Sequence, residues 1–153
     1  METRVYVALG SNQGDRVNNL RQAIAGLTSI ASSDIDQSSF YLTDPLDMED
    51  DAEEFANAVV GFKTSLTPWE LLAATREIEV NMGRPVNHGR NESRVIDIDI
   101  ILYGNEVVNE ADLIIPHPRA HERAFVLMPL AEIAPHAADR LRGNQVQSDD
   151  RGG

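Results

Sequence analysis

The stretch at residues 94–104, "RVIDIDIILYG", places two aspartates one residue apart inside an otherwise apolar run. A strand repeats its side chains with period two and rises about 3.3 Å per residue, so Asp97 and Asp99 should share a face with Cα atoms roughly 7 Å apart. Ile96, Ile98 and Ile100 then turn the other way, into a core. Two carboxylates about 5 Å apart repel by about 3 kcal/mol at an effective dielectric near 20. A bound cation would remove that cost. Magnesium suits the pattern, because it takes one or two carboxylates and completes its shell with substrate phosphate oxygens and water. The plainer reading is an edge strand with ordinary surface aspartates. The apolar "IILY" that follows argues instead for a central strand whose carboxylate-bearing end meets a cleft.

The 153 residues suffice for one domain with its own core. We expect that domain to span residues 1–138, with a polar, disordered tail over 139–153. There is no cysteine, which excludes disulfides, thiolate metal sites and cysteine nucleophiles. No apolar run reaches membrane-spanning length and the N-terminus lacks a signal-peptide pattern, so we expect a cytoplasmic protein without membrane partners. The formal charge of -12 disfavours nucleic-acid binding. Twelve of the thirteen basic residues are arginine, and Arg76, Arg84, Arg90, Arg94, Arg119 and Arg123 flank the aspartate pair. Arginine's planar fork grips phosphate or carboxylate with two parallel bonds, which points to a polyphosphate ligand. Arginine-rich usage across the genome would give the same counts.

Working outward, residues 4–9 read as a first strand, ended by "GSNQGD". From Asp15, a plausible N-cap, Val17, Leu20, Ala23, Ile24 and Leu27 recur at helical spacing. A second strand is expected over 34–42. The acidic segment "TDPLDMEDDAEE" (43–54) reads as a mobile loop. "FANAVVGFKT" forms a third strand, then Thr67 and Pro68 open a helix that runs to about Met82 and closes at Gly83. "RPVNHGRNES" (84–93) is a second mobile loop, placed so that both could close over a ligand. After "ILYG" comes a short hairpin in "EVVNEADLII", then a turn and a final helix. The pattern fits an α+β sandwich of the ferredoxin-like type, with a mixed, mainly antiparallel sheet and helices on one face.

"GSNQGD" lies between strand and helix, where backbone amides can cradle an anion, but the chain has no P-loop and no G-x-G-x-x-G. Any nucleotide would therefore rely on arginine. His117 sits between two prolines, which suits a positioned donor, whereas His88, His121 and His136 read as structural. Phe55 and Phe125 are aromatic residues of the kind usually found in a core, although both are flanked by polar functional types.

Together "YVALGSNQGDRVNNL", "FYLTDPL", "FANAVV", "ELLAATREIEVNMGR", "RVIDIDIILYG" and "IPHPRAHERAFVLMPLAEIAP" resemble the 6-hydroxymethyl-7,8-dihydropterin pyrophosphokinase family of folate biosynthesis, from residue 4 to about 135. The resemblance implies transfer of the terminal pyrophosphate of ATP to the pterin hydroxymethyl group, with release of AMP. It implies two magnesium ions on Asp97 and Asp99, with Arg84 and Arg94 gripping phosphate oxygens as catalytic residues. Glu79, Ile100, His117 and Arg123 would join them at ATP. Phe55 and Phe125 would sandwich the pterin, Asn57 would bond its edge, and the backbone near Thr43 and Leu46 would complete the pocket. The enzyme would act as a monomer. Three departures stand out: Asn91, Glu92 and Ser93 replace a Trp-Gly-Pro run found in many members, Pro118 replaces a tyrosine found in some, and the chain stops soon after "EIAP".

Two other readings are open on sequence alone. A magnesium-dependent phosphohydrolase or nucleotidyl transferase could use the same aspartates. An acidic cation-binding module could use "DMEDDAEE", although that segment lacks the spaced ligands and central glycine of an EF-hand.

Overall fold

Val5, Val7 and Leu9 belong to one buried cluster and Tyr6 and Ala8 to another, so the first strand has a core on each side. In the computed structural model, residues 2–42, 55–83, 95–118, 120 and 124–152 are described, with backbone alone for residues 124 and 144–152. The elements run β1 (Thr3–Ser11), α1 (Arg16–Thr28), β2 (Asp36–Gln37), β3 (Tyr41–Leu42), β4 (Ala56–Thr64), α2 (Pro68–Asn81) and β5 (Asp97–Tyr103). They continue with β6 (Val108–Glu110), β7 (Leu113–Ile115), α3 (Ala124–Ile133) and α4 (Pro135–Gly152). The sheet order is β2-β4-β1-β5, with β3 also on β4, and every described pairing is antiparallel. With β2 and β3 counted as one broken strand, this is the ferredoxin-like α+β arrangement.

Helix α1 starts where Asp15 accepts a hydrogen bond from the Asn18 N–H at 3.1 Å, and it buries Leu20, Ala23, Ile24 and Leu27 as one stripe. Leu20 and Leu27 are fully buried, and each such side chain contributes about 2 kcal/mol relative to exposure. Helix α2 opens on a capping box: the Thr67 hydroxyl accepts from the Glu70 N–H at 3.1 Å, and the Glu70 carboxylate accepts from the Thr67 N–H at 2.9 Å. It ends at Gly83, whose φ of 105° only glycine holds without strain.

Four expectations change. Helices cover both faces of the sheet and not one: α1 and α2 pack on the face of Val5 and Val7, while α3 and α4 cover Val59 and Ile101. The strand expected over 34–42 is split into β2 and β3, because the buried Ser38 puts its hydroxyl in the ladder, accepting from the Val59 N–H at 3.0 Å. Strand β5 is not central. Among the described residues it pairs only with β1, although Ile98, Ile100, Ile101 and Leu102 along it are buried. Finally, the tail expected from residue 139 continues α4. Leu141 is buried with Ala137 and Ala138 against the second core, and Arg140 donates to the Gly104 carbonyl at 3.0 Å. The two loops at 43–54 and 84–93, and with them the "DMEDDAEE" reading, lie outside the described residues.

Candidate active site

Register alone brings the predicted site together. Gly10 of β1 pairs with Asp97 on one side and Asn57 on the other, and Asn57 pairs with Tyr41. Partners across antiparallel strands share a face. Asp97, Gly10, Asn57 and Tyr41 therefore form one row across the sheet, and Asp99, Ala8 and Val59 form the next. A methyl group built on Gly10 would lie 3.3 Å from Asn57 Oδ1 and 3.5 Å from Phe55 Cδ1. The absent side chain is thus the space into which the Phe55 ring and the Asn57 amide reach. A β-bulge where Val7 pairs with Ile100 and Tyr6 with Leu102 re-aims the strand just beyond the aspartates.

The aspartates face an open cleft of about 360 Å³ between α2, the outer side of β5 and the β6–β7 hairpin. Glu79, Asp97, Asp99, Ile100 and His117 all line it, so five predicted ATP or metal residues share one cavity. Ile100 lies in the first core and also borders the cleft, which runs along the strand's edge and so meets residues of both faces. Glu79 is buried and its Oε2 accepts the Ile98 backbone N–H at 2.8 Å, tying α2 to β5 between the two aspartates. His117 is set less by its flanking prolines than by its own N–H, which donates to the Ile101 carbonyl at 3.0 Å.

Phe125 stands in the first turn of α3 and is 38% exposed, a poor match for a core residue and a good one for a stacking surface. Phe55 is half-buried over Gly10. Of the remaining predicted residues, Thr43, Leu46, Arg84, Arg94 and Arg123 lie outside the described residues, as do His88 and His121, and His136 is exposed on α4. Sequence reasoning missed part of the cleft wall: Leu72, Asp112 and Leu113 line it too, beside Arg76, one of the arginines expected near the aspartates. Leu72, Arg76 and Glu79 recur at four and three along α2, a stripe that could have been found by asking which helix face adjoins the aspartate strand.

No group of three histidine, aspartate or glutamate side chains suited to a metal occurs among the described residues. Magnesium held largely by substrate phosphates needs no such cage, and two same-face carboxylates beside a cleft are the donor set it uses. The residues present fit that ion.

A ferredoxin-like sandwich with paired carboxylates opening on a polar cleft suits an enzyme that handles a magnesium-bound polyphosphate. The family model described as 7,8-dihydro-6-hydroxymethylpterin-pyrophosphokinase matches residues 6–135. The chain belongs to that family. It is 48% identical over 134 residues to the 2-amino-4-hydroxy-6-hydroxymethyldihydropteridine pyrophosphokinase of Bacillus subtilis, covering 87% of this chain and 79% of that one. It is 40% identical over 129 residues to the folate synthesis bifunctional protein of Arabidopsis thaliana, which covers 84% of this chain but only 26% of the plant protein. The fold is shared with the Plasmodium falciparum HPPK-DHPS crystal structure, at a TM-score of 0.67 and 15% identity, over 88% of this chain and 39% of that one.

Proposed function

We propose that the chain transfers pyrophosphate from ATP to the hydroxymethyl oxygen of 6-hydroxymethyl-7,8-dihydropterin, with magnesium held at Asp97 and Asp99. As a family member the chain is a pyrophosphokinase of folate biosynthesis. The observation that carries the reading is the single face on which Asp97 and Asp99 meet a cleft while Asn57 and Phe55 stand two strands away, across Gly10 of β1.

In this reading Leu72, Ile100 and Leu113 form the apolar wall against the nucleotide base, and the phosphates extend toward Asp97, Asp99 and His117. Arg84, Arg94 and Arg123 add cationic donors to them. Magnesium would neutralise the polyphosphate and the charge that develops on the leaving group. The pterin ring stacks between Phe55 and Phe125, with Asn57 and the backbone near Thr43 and Leu46 bonding its edge. The hydroxymethyl oxygen then attacks the β-phosphorus in line. A new P–O bond forms there, the bond to the α-phosphate oxygen breaks, and AMP leaves. Fixing both reactants supplies most of the acceleration, because phosphoryl transfer asks little covalent chemistry of the protein.

The same reading takes the enzyme as a monomer of the cytoplasm, without nucleic-acid or membrane partners. Its net charge of -12 disfavours a nucleic-acid partner, and no helix among the described residues is long and apolar enough to cross a membrane.

The test is Asp97→Asn and Asp99→Asn. Each removes one of two repelling charges and should leave thermal unfolding unchanged or slightly raised. Each should lower activity by orders of magnitude and shift the magnesium dependence of ATP binding to higher concentration. Wild-type activity in either variant, or activity indifferent to chelation of magnesium, would defeat the assignment.

A further inference from the structure

Outside the cleft, one carboxylate gathers three donors from a single distant segment. Glu132 Oε1 accepts the Ser39 backbone N–H at 2.9 Å and the Tyr41 hydroxyl at 2.8 Å, and Glu132 Oε2 accepts the Ser39 hydroxyl at 2.7 Å. These partners lie more than ninety residues apart in sequence. The cluster is exposed, and the packing of α3 on the sheet is already supplied by Val126 and Leu130 in the second core. Cohesion of the fold therefore does not explain why a solvent-facing glutamate should be held so completely.

Its neighbours do. Phe125, Met128 and Glu132 recur at three and four along α3, and all three are exposed, so they share one face. Glu132 lies two turns, about 10 Å, from Phe125 on that face. Tyr41 pairs with Asn57, the next residue along its row, and Leu42 pairs with Ala56, which follows Phe55. One carboxylate thus joins the helix that carries one aromatic of the pocket to the strand pair that carries the other and the amide between them.

We infer that Glu132 is a positioning residue for the acceptor pocket, setting the distance between Phe125 on α3 and the Asn57 and Phe55 edge of the sheet. The inference rests on the reading of those three residues as the pterin site. A flat ring between two aromatic faces tolerates little change in their separation, and misplacement of about 1 Å can cost about a hundredfold in rate or affinity. The nucleotide cleft lies across the sheet, between α2 and β5, and does not share this tether.

The test compares Glu132→Ala, Glu132→Gln and Tyr41→Phe with wild type in pterin KM, kcat, Mg-ATP affinity by calorimetry and thermal unfolding. Glu132→Ala should raise pterin KM by about tenfold or more, with kcat and ATP affinity within about threefold of wild type. Glu132→Gln, which keeps one acceptor oxygen, should fall between the two. Tyr41→Phe should raise pterin KM on its own but add nothing in the Glu132→Ala background, because the two act through one contact. If Glu132→Ala does not fold, Tyr41→Phe carries the test, since it removes one donor and no charge. Unchanged pterin KM in a folded variant, or equal losses for pterin and ATP, would overturn the inference and leave the functional reading standing. A wild-type protein that binds Mg-ATP but no pterin would overturn both.

Discussion

Glu79 looks from sequence like a cleft residue, and the structure gives it a second task. Its buried carboxylate accepts the Ile98 N–H, so the residue between the two aspartates is held by α2 and not only by the sheet. A hydrogen bond contributes about 0.5 to 1.5 kcal/mol net, and an amide left unpaired in a buried place costs about 1 to 3. Glu79→Ala should therefore lower unfolding free energy by about that amount in a denaturant titration and weaken Mg-ATP binding at the same time, because Asp97 and Asp99 lose their backbone anchor. Glu79→Gln, which keeps an acceptor, should lose much less of both. A stable Glu79→Ala protein with weakened ATP binding would make the residue a ligand contact alone. At this scale the sequence was most legible where chemistry needs adjacent residues. The aspartate pair could be read directly, whereas the Gly10 row needed the pairing of three distant strands and no local pattern announces it.

The elements divide by how much local pattern they carry. Helices α1 and α2 have caps, and α1 has a single apolar stripe, so their placement follows from sequence. Helix α3, "AFVLMPLAEI", is apolar almost all round and offers no stripe to say which face of the sheet it covers. In α4 the polar composition conceals Ala137, Ala138 and Leu141, spaced as neighbours on one face. The split between β2 and β3 depends on one serine hydroxyl entering the ladder, which propensity does not register. The tether between α3 and β3 also carries a pH dependence. Bonds from the Ser39 hydroxyl, then the Ser39 N–H and the Tyr41 hydroxyl, hold the Glu132 carboxyl below its ordinary range, against a small opposing effect of burial. A depressed folded value means the contribution is complete above the unfolded carboxylate range and is lost as pH falls through the folded one. Tyr41 is raised, chiefly by its bond to Glu132, so its share is complete below the ordinary phenol range and is lost as pH rises through the raised value. The tether is intact across the neutral range. Thermal unfolding followed from neutral to acid pH should show wild type losing its advantage over Glu132→Gln at the acid end. Parallel curves for the two proteins would contradict it.

For the molecule as a whole, the strand order β2-β4-β1-β5 puts the aspartate strand at the sheet's border, where α2 and the β6–β7 hairpin can wall a cleft beside it. The expectation of a central strand fails because an apolar run signals burial and not pairing on both sides; here helices and a hairpin supply the burial. The fold class was legible because strand and helix patterns intermingle without strict βαβ alternation, as the ferredoxin-like order requires. The helix layer on the second face was not, since it is built from the least patterned part of the chain. On the proposed reading, an acidic protein with arginine almost to the exclusion of lysine would bind its polyphosphate through few, placed groups. That account stands or falls on which phosphorus is attacked. The most direct measurement is chromatography of nucleotides after incubation with ATP, magnesium and 6-hydroxymethyl-7,8-dihydropterin: AMP should appear in step with pyrophosphorylated pterin and only when the pterin is present, whereas ADP or free phosphate as the main product would contradict it.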